Sequence, residues 1–338
     1  MEQKVLRTGT VAIICALLLR LLSGMGAGMD LPPKISSAMI FLQTGRFARP
    51  SMLAHNPATT EGEEPTADTT QETESIECTE SVAPSEPTPD LPVFSPMDAA
   101  AIGIKCGFSY SADKQALLCK PLDWNLADGQ PAVLIYHSHA TESFSPANYQ
   151  ETSDYHTLDS SQNMISVGAY LATLLEAQGI RVIHDTSLHD NPSYTDAYTN
   201  SRKSVQDYLK AYPTIRLVLD LHRDAYEDEN GNQVAQTVFS EGTRVASLMF
   251  VVGSDYGGGD HPQWRENLAL ALKLQTLING TCPGICRNIN LRSQKFNQDL
   301  SPGTLLVEVG AAGNTQAEAL RAAQVLADGI GQLAHGSL

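Results

Sequence analysis

The fold is decided by the stretch Ile215-Arg-Leu-Val-Leu-Asp-Leu-His-Arg-Asp224, in which an apolar run leads directly into charged side chains. A short apolar run of this kind, preceded by the helix breaker Pro213, is typical of a strand buried in a parallel sheet. Two further stretches follow the same plan. Val133-Leu-Ile-Tyr136 leads into a polar cluster that contains two histidines, and Thr304-Leu-Leu-Val-Glu-Val309 carries a glutamate among valines. The sequence therefore predicts three buried strands with reactive side chains at or near their ends.

Segments with helical spacing alternate with these strands. Helices of this length between strands predict the α/β class, with a mostly parallel sheet that is covered by helices on both faces. Residues 92–130 hold only short strand-like pieces, 102–104 and 117–118, and are assigned to an amino-terminal extension of the same domain. The predicted order after this extension is strand 133–136, helix 163–178, strand 180–184, helix 195–212, strand 215–221, strand 245–252, helix 264–279, strand 304–309 and helix 315–331.

The first ninety residues differ in composition from the rest. Residues 1–50 contain six Lys or Arg and two Asp or Glu, whereas residues 51–90 contain ten Asp or Glu and no Lys or Arg. Basic residues before the apolar run Val11–Leu19 indicate a signal anchor that leaves the amino terminus in the cytoplasm. An acidic, proline-rich composition cannot bury enough apolar surface to fold. We expect a signal anchor over 1–30, a low-complexity acidic tether over 31–91, and one folded domain over 92–338 on the extracytoplasmic side of a single-pass cell membrane protein.

Whole-chain composition excludes several classes of protein. The formal net charge of −16 argues against nucleic acid as a partner, because duplex binding needs a basic surface. A hydrophobic content of 42% argues against a collagen, a coiled coil or a protein with many membrane spans. Six cysteines are few for 338 residues. Cys106 with Cys119, and Cys282 with Cys286, could pair in an exported domain.

The strand ends supply the donors of a zinc site. His139-x-x-Glu142 and the distant His222 offer two imidazoles and one carboxylate, which is a ligand set of catalytic zinc with an open position for water. Zinc lowers the pKa of such a water and polarises a scissile carbonyl. His137 is an alternative ligand, because two residues along a strand place it on the same side as His139.

A further carboxylate can take and pass on the proton of that water. Glu308 is the predicted catalytic base, because its valine neighbours raise its pKa toward neutrality. Asp220 or Asp224 could hold the His222 ring in one tautomer. Arg223 or Arg292 could bind substrate carboxylates. The remaining histidines of the body are expected on the surface or in loops: His156, His184, His189 and His261.

At these residues the chain resembles the stage II sporulation protein P family, the engulfment cell-wall hydrolases of endospore-forming bacteria. The resemblance covers roughly 100–334. It is carried by Val133-Leu-Ile-Tyr-His-Ser-His-Ala-Thr-Glu-Ser-Phe144, Gly179-Ile-Arg-Val-Ile-His-Asp185, Asp220-Leu-His-Arg-Asp224, Asn297-Gln-Asp-Leu-Ser-Pro302, and Leu305-Leu-Val-Glu-Val-Gly310 with Asn314-Thr315.

The resemblance implies a zinc-dependent N-acetylmuramoyl-L-alanine amidase with a fold like that of zinc amidases and carboxypeptidases, and also endopeptidase action on cross-links. By residue, it matches His139 and His222 to the metal histidines and Glu308 to the catalytic glutamate. The spacing to His139 makes Glu142 the expected acidic ligand, with Asp159 as the alternative. The family also implies cooperation with sporulation proteins D and M. Two other hypotheses stay open: a non-catalytic wall-binding scaffold, and a zinc carboxypeptidase or endopeptidase acting on the stem peptide.

Overall fold

The structure, a computed structural model, describes residues 94–122, 124–146 and 155–335. The predicted anchor over 1–30 and tether over 31–91 lie outside the described residues. None of the helices in the described ranges has the length and apolar character that a membrane span requires.

Six helices and nine strands make up the described part of the chain. In chain order they are α1 (Pro96–Ala101), β1 (Ile104–Cys106), α2 (Lys114–Cys119), β2 (Val133–Tyr136), α3 (Met164–Glu176), β3 (Val182–His184), α4 (Ala197–Ala211), β4 (Leu217–Asp224), β5 (Thr237–Ser240), β6 (Thr243–Ala246), β7 (Leu248–Val252), α5 (Trp264–Thr281), β8 (Ile289–Leu291), β9 (Thr304–Ala311) and α6 (Gln316–His335). Short 3₁₀ turns occupy Tyr194–Asp196 and Gln298–Leu300.

Seven of the strands form one sheet in the order β1-β8-β7-β9-β4-β2-β3. The neighbours β9, β4, β2 and β3 are parallel, so their carboxyl ends meet at one edge. β7 pairs antiparallel with β9 and parallel with β8, and β8 is parallel to β1. The predicted α/β class with a mostly parallel sheet is confirmed, and the sheet contains two parallel blocks that run in opposite directions.

Both faces of the sheet are covered. Leu217, Leu219 and Leu221 of β4 point into a large apolar cluster with residues of α3, α5 and α6. The alternate residue Val218 points to the other face, where it joins a smaller cluster with Val205 of α4. Because side chains alternate along a strand, Asp220 and His222 lie on the same face as Val218, the α4 face.

Local sequence explains the helix boundaries. α3 begins after Asn163, whose side chain accepts a hydrogen bond from the Ile165 N–H, and the chain turns at Gly179 with a φ of 79°. This is the helix stop that glycine permits at low cost. α4 ends before Pro213, which cannot continue a helix.

Three expectations for secondary structure were wrong or incomplete. Leu117 and Leu118 lie in the helix α2 and not in a strand, because Asp113 caps a helical turn there. The predicted strand 245–252 divides at Ser247 into β6, which forms a hairpin with β5, and β7 of the main sheet. The short strands β5 and β8 were not predicted, since their apolar runs are too short to stand out.

Candidate metal and catalytic site

The parallel strands bring the predicted histidines and glutamate together. β4 and β9 pair so that His222 lies opposite Glu308, and on parallel strands such partners project from the same face. His139 follows the end of β2, the other neighbour of β4. The centroids of the His139 and His222 rings lie 5.4 Å apart, with the ring planes at 75°.

Glu142 closes the chain turn after His139 and reaches His222. Its N–H donates to the His139 carbonyl, and its Oε2 lies 3.3 Å from His222 Nδ1. Arg223 holds this carboxylate: its backbone N–H donates to Glu142 Oε2, and its guanidinium donates to the carbonyls of Ser143 and Tyr155. Arg223 is itself buried. The structure therefore gives Arg223 a supporting role behind Glu142.

Asp220 supports the opposite side of the His222 ring. Its Oδ1 lies 2.9 Å from His222 Nε2, although the angle does not make a good hydrogen bond. The same carboxylate accepts hydrogen bonds from the N–H and the hydroxyl of Ser138. Asp220 is fully buried, so the carboxylate is fixed on β4 by these contacts.

The charges around the two histidines differ in effect. Burial alone would lower the pKa of His222, but the carboxylates of Asp220 and Glu142 outweigh it and raise that pKa well above its ordinary value. Burial and the neighbouring His222 lower the pKa of His139. The neutral imidazole of His139 can therefore donate a lone pair, whereas at His222 two carboxylates stabilise a positive charge.

Glu308 has the raised pKa that was predicted for it. Burial raises its pKa to about 8, with His222 acting in the opposite direction and the carboxylates of Glu142 and Asp224 adding to the rise. Its Oε2 is buried and has no hydrogen-bond partner. A buried carboxylate oxygen without a partner is costly, and such atoms are expected where a ligand or substrate completes the site.

His137 has both ring nitrogens engaged. Its Nδ1 lies 3.0 Å from the carbonyl oxygen of Leu221, and its Nε2 lies 2.9 Å from His184 Nε2. Because a carbonyl can only accept, Nδ1 carries the proton and Nε2 accepts from His184. No lone pair of His137 is left for a metal, and the structure separates it from the ligand cluster around His139.

The other histidines are mostly not surface residues. His189 and His261 are buried, and they make hydrogen bonds with Asp185 and Asn267 respectively. The expectation for them was wrong because a polar ring can be buried once a partner satisfies it. His156 is exposed, as expected.

Three further predicted residues lie outside the cluster of His139, His222 and Glu308. Asp224 forms an ion pair with Arg287, with 2.8 Å between Oδ2 and the guanidinium. Arg292 is exposed and follows the end of β8. Because β8 runs opposite to β4, Arg292 lies at the other edge of the sheet from His139 and Asp224. Asp159 is exposed and accepts hydrogen bonds from Ser161 and Gln162.

Two tyrosines of the site were not predicted. The Tyr194 ring stacks on His139 at 4.0 Å between centroids, and it is 54% exposed. The Tyr198 ring lies edge-on to His139 at 5.5 Å and parallel to His222 at 6.4 Å. Both lie in the segment that follows β3, Tyr194 in a 3₁₀ turn and Tyr198 in the first turn of α4, and the carboxyl end of β3 is also at this edge of the sheet. The sequence feature that could have indicated them is a pair of tyrosines four residues apart after a predicted strand. This spacing places two side chains on one side of a helix.

The donors fit zinc in type and, for one pair, in distance. Two atoms bound at about 2.0–2.1 Å to one tetrahedral zinc lie roughly 3.3 Å apart, which is the separation of His222 Nδ1 and Glu142 Oε2. His139 Nδ1 is buried without a partner. Within residues 94–122, 124–146 and 155–335, however, no three His, Cys, Asp or Glu side chains are arranged as a complete metal site.

The four cysteines of the described ranges are free thiols: Cys106, Cys119, Cys282 and Cys286. Burial raises the pKa of the Cys286 thiol, and the neighbouring Cys282 adds to the rise. Neither of the two possible pairs is joined in this structure.

Comparison with known proteins finds a family over most of the chain. Residues 41–331 match the family model described as stage II sporulation protein P. Stage II sporulation protein P of Bacillus subtilis (strain 168) is 30% identical over 207 residues, which are 58% of this chain and 49% of the relative. The chain thus spans about half the length of that curated relative.

The chain is also similar to solved structures of N-acetylmuramoyl-L-alanine amidases. AmiC2 of Nostoc punctiforme is 13% identical with a TM-score of 0.36, covering 59% of this chain and 94% of that one. The amidase of Clostridium difficile 630 is 16% identical with a TM-score of 0.37, covering 61% and 95%. Ami1 of Mycobacterium smegmatis is 12% identical with a TM-score of 0.38, covering 63% and 100%. At these low scores the similarities carry no conclusion about activity.

Proposed function

Because the chain belongs to the stage II sporulation protein P family, we propose that it is a zinc-dependent peptidoglycan hydrolase of spore engulfment. The bond cleaved is the amide between N-acetylmuramic acid and the L-alanine of the stem peptide. The observation that carries this proposal is that His139, Glu142 and His222 lie at one sheet edge with Glu308, whose buried Oε2 has no hydrogen-bond partner.

The proposed ligands are His139, Glu142 and His222. Two imidazoles and one carboxylate are a ligand set of catalytic zinc. Binding through His222 would displace the proton that its raised pKa favours. A bound zinc ion would lower the pKa of a water molecule and polarise the scissile carbonyl. Asp220 contacts the His222 ring, and Arg223 holds the Glu142 carboxylate, as outer partners of metal ligands do.

The chain's own proton chemistry is assigned to Glu308. A base must lose its proton near the working pH, and burial together with nearby carboxylates raises the pKa of Glu308 to about 8. Glu308 takes the proton of the attacking water at its carboxylate. It then donates this proton to the nitrogen of the leaving alanine, so that the C–N bond breaks with a neutral amine as the product.

The surroundings of the domain are also proposed. Residues 1–30 anchor the chain in the cell membrane, 31–91 form a tether, and 92–338 form the catalytic domain on the extracytoplasmic side. Peptidoglycan is the substrate, and sporulation proteins D and M are the proposed partners. The basic start and the acidic, proline-rich middle of the chain support this arrangement.

The test is digestion of purified sacculi by the full-length protein, with mass spectrometry of the released products. We expect free stem peptides that begin with L-alanine, and we expect none after zinc is chelated. Glu229→Gln, a change in an exposed loop glutamate, is the matched control for substitutions at Glu308. New termini within the stem or cross-link would instead identify a carboxypeptidase or endopeptidase, and no products would favour a wall-binding scaffold.

A further inference from the structure

A turn with unusual backbone geometry lies between β8 and β9. Phe296 and Asn297 have φ values of 51° and 57°. Positive φ is tolerated by asparagine but is a genuine outlier for a bulky residue such as phenylalanine. Strained positions persist only where the surroundings fix them, and they cluster at functional sites. The proposed reaction assigns no role to this turn or to the motif Asn297-Gln-Asp-Leu-Ser-Pro302 that begins in it.

The amide of Asn297 is bonded entirely to the beginning of α4. Its Nδ2 donates to the carbonyl of Tyr198 at 3.0 Å and to Ser201 Oγ at 3.2 Å, and its Oδ1 accepts from the Arg202 guanidinium at 3.4 Å. Arg202 also forms a two-pronged ion pair with Asp299, at 2.9 and 2.8 Å. The turn is thus tied to one helical turn by five polar contacts.

The Phe296 ring adds an apolar contact to the same helical turn. It lies edge-on to the Tyr198 ring, with 5.7 Å between centroids. Tyr198 in turn contacts both proposed metal histidines, at 5.5 Å from His139 and 6.4 Å from His222. A continuous set of contacts therefore runs from the turn to the two imidazoles.

We propose that Phe296 and Asn297 form a clamp that holds the Tyr198 ring in place, and that Tyr198 thereby sets the orientation of the His139 and His222 rings. Tyr198 and Asn297 are positioning residues. The inference rests on the proposed function only in taking the two histidines as metal ligands. The ring of Tyr198, and not its hydroxyl, makes the contacts that carry the proposal.

The variants distinguish the loss of the clamp contacts from a general loss of folded protein. Asn297→Gly keeps the backbone turn, because glycine accepts positive φ, and removes the side-chain hydrogen bonds. Tyr198→Leu removes the aromatic contacts, and Tyr198→Phe keeps them. Tyr208→Leu is the matched control: Tyr208 lies on the same helix and packs against the small apolar cluster, away from the two histidines. Urea unfolding of each full-length variant shows how much of any effect is loss of folded protein.

Two measurements are made on the full-length protein. The first is nuclear magnetic resonance of selectively labelled histidine rings in the metal-free state, because a neighbouring aromatic ring shifts these resonances. The second is zinc affinity by competition with a chelator. We expect Asn297→Gly and Tyr198→Leu to move the His139 and His222 resonances and to weaken zinc binding about 10- to 100-fold, as loss of outer partners does. Tyr198→Phe and Tyr208→Leu should retain wild-type values.

The proposal is overturned if Asn297→Gly and Tyr198→Leu leave the two histidine resonances unchanged. It is also overturned if Tyr208→Leu changes them as much as Tyr198→Leu does, or if Tyr198→Phe behaves like Tyr198→Leu. A wild-type protein that binds no zinc would contradict the proposed function, while the resonances of the metal-free protein would still decide the clamp.

Discussion

His222 and Glu308 are register partners on the neighbouring parallel strands β4 and β9. They are 86 positions apart in the sequence, and the sheet alone places them side by side on the α4 face. This relationship puts a proposed metal ligand next to the proposed base without any loop being required to position either of them. Sites built on strands hold their geometry more closely than sites built on loops.

Replacing the proposed base should separate chemistry from metal binding. We expect Glu308→Gln to lower the rate of stem-peptide release by about 10²–10⁴-fold, because a positioned base contributes that much. Zinc affinity should be retained, since Glu308 is not one of the three proposed ligands. Product release from sacculi and metal analysis of the same sample measure both. Full activity in Glu308→Gln would remove the assignment of the base.

Asp220 should act through His222. Asp220→Asn leaves the side-chain shape but removes the charge beside His222 Nε2. We expect zinc affinity to fall about 10–100-fold, which is the usual cost of losing such an outer carboxylate. Chelator competition measures the change. Asp207→Asn, at an exposed aspartate on α4, provides the control, and an equal loss in both variants would count against a specific role.

Gly168 should be required for packing behind the site. A Cβ at this position would lie 2.6 Å from Nε2 of both His137 and His184, two rings that are fixed by hydrogen bonds. We expect Gly168→Ala to lower the free energy of unfolding by about 1–3 kcal/mol, as overpacking does. Gly280→Ala has open space around its new methyl group and should not destabilise. Urea denaturation compares the two, and similar stabilities would contradict the observed contact.

The pair formed by the buried His137 and the half-buried His184 should make the free energy of unfolding depend on pH. Burial lowers the pKa of His184 to about 4, below about 6.5 in an unfolded chain. Between these values the unfolded state binds more protons, so stability falls as pH decreases from 6.5 toward 4. We expect His184→Gln, whose amide can still donate to His137, to reduce this loss by on the order of 1 kcal/mol.

Urea unfolding of His184→Gln at pH 7 and pH 5 tests this expectation. The exposed histidine variant His156→Gln should retain the wild-type slope between the two pH values. An unchanged slope in His184→Gln would show that His184 is not a source of the acid sensitivity.

The sequence predicts the buried strands and the residues at their ends because strong apolar runs report burial directly. β4 and β9 are examples, and each carries its reactive residue where the sequence predicts it. The direction of β7 could not be predicted, since strand direction depends on connections and not on composition, and β8 was not predicted at all. That reversal places Arg292 at the opposite edge of the sheet.

The sequence also does not show which partner each nitrogen of a histidine ring will have. It does not show which distant backbone groups an arginine will bind. In the sequence, only the three-residue spacing to Glu142 favours His139 over His137. The structure adds the Leu221 carbonyl and His184, which occupy both ring nitrogens of His137. Arg223 likewise resembles a substrate-binding residue until its bonds to Ser143 and Tyr155 are seen. Tyr194 and Tyr198 were missed because aromatic residues near a helix start usually indicate packing.

The central claim is that one zinc ion is held by His139, Glu142 and His222, and zinc content measured on the purified full-length protein tests it most directly. The account predicts close to one zinc ion per chain in the wild type and in Glu308→Gln, and loss of the metal in His139→Ala, Glu142→Ala and His222→Ala. A wild-type chain that binds no zinc, or zinc content that is unchanged in all three alanine variants, would contradict it.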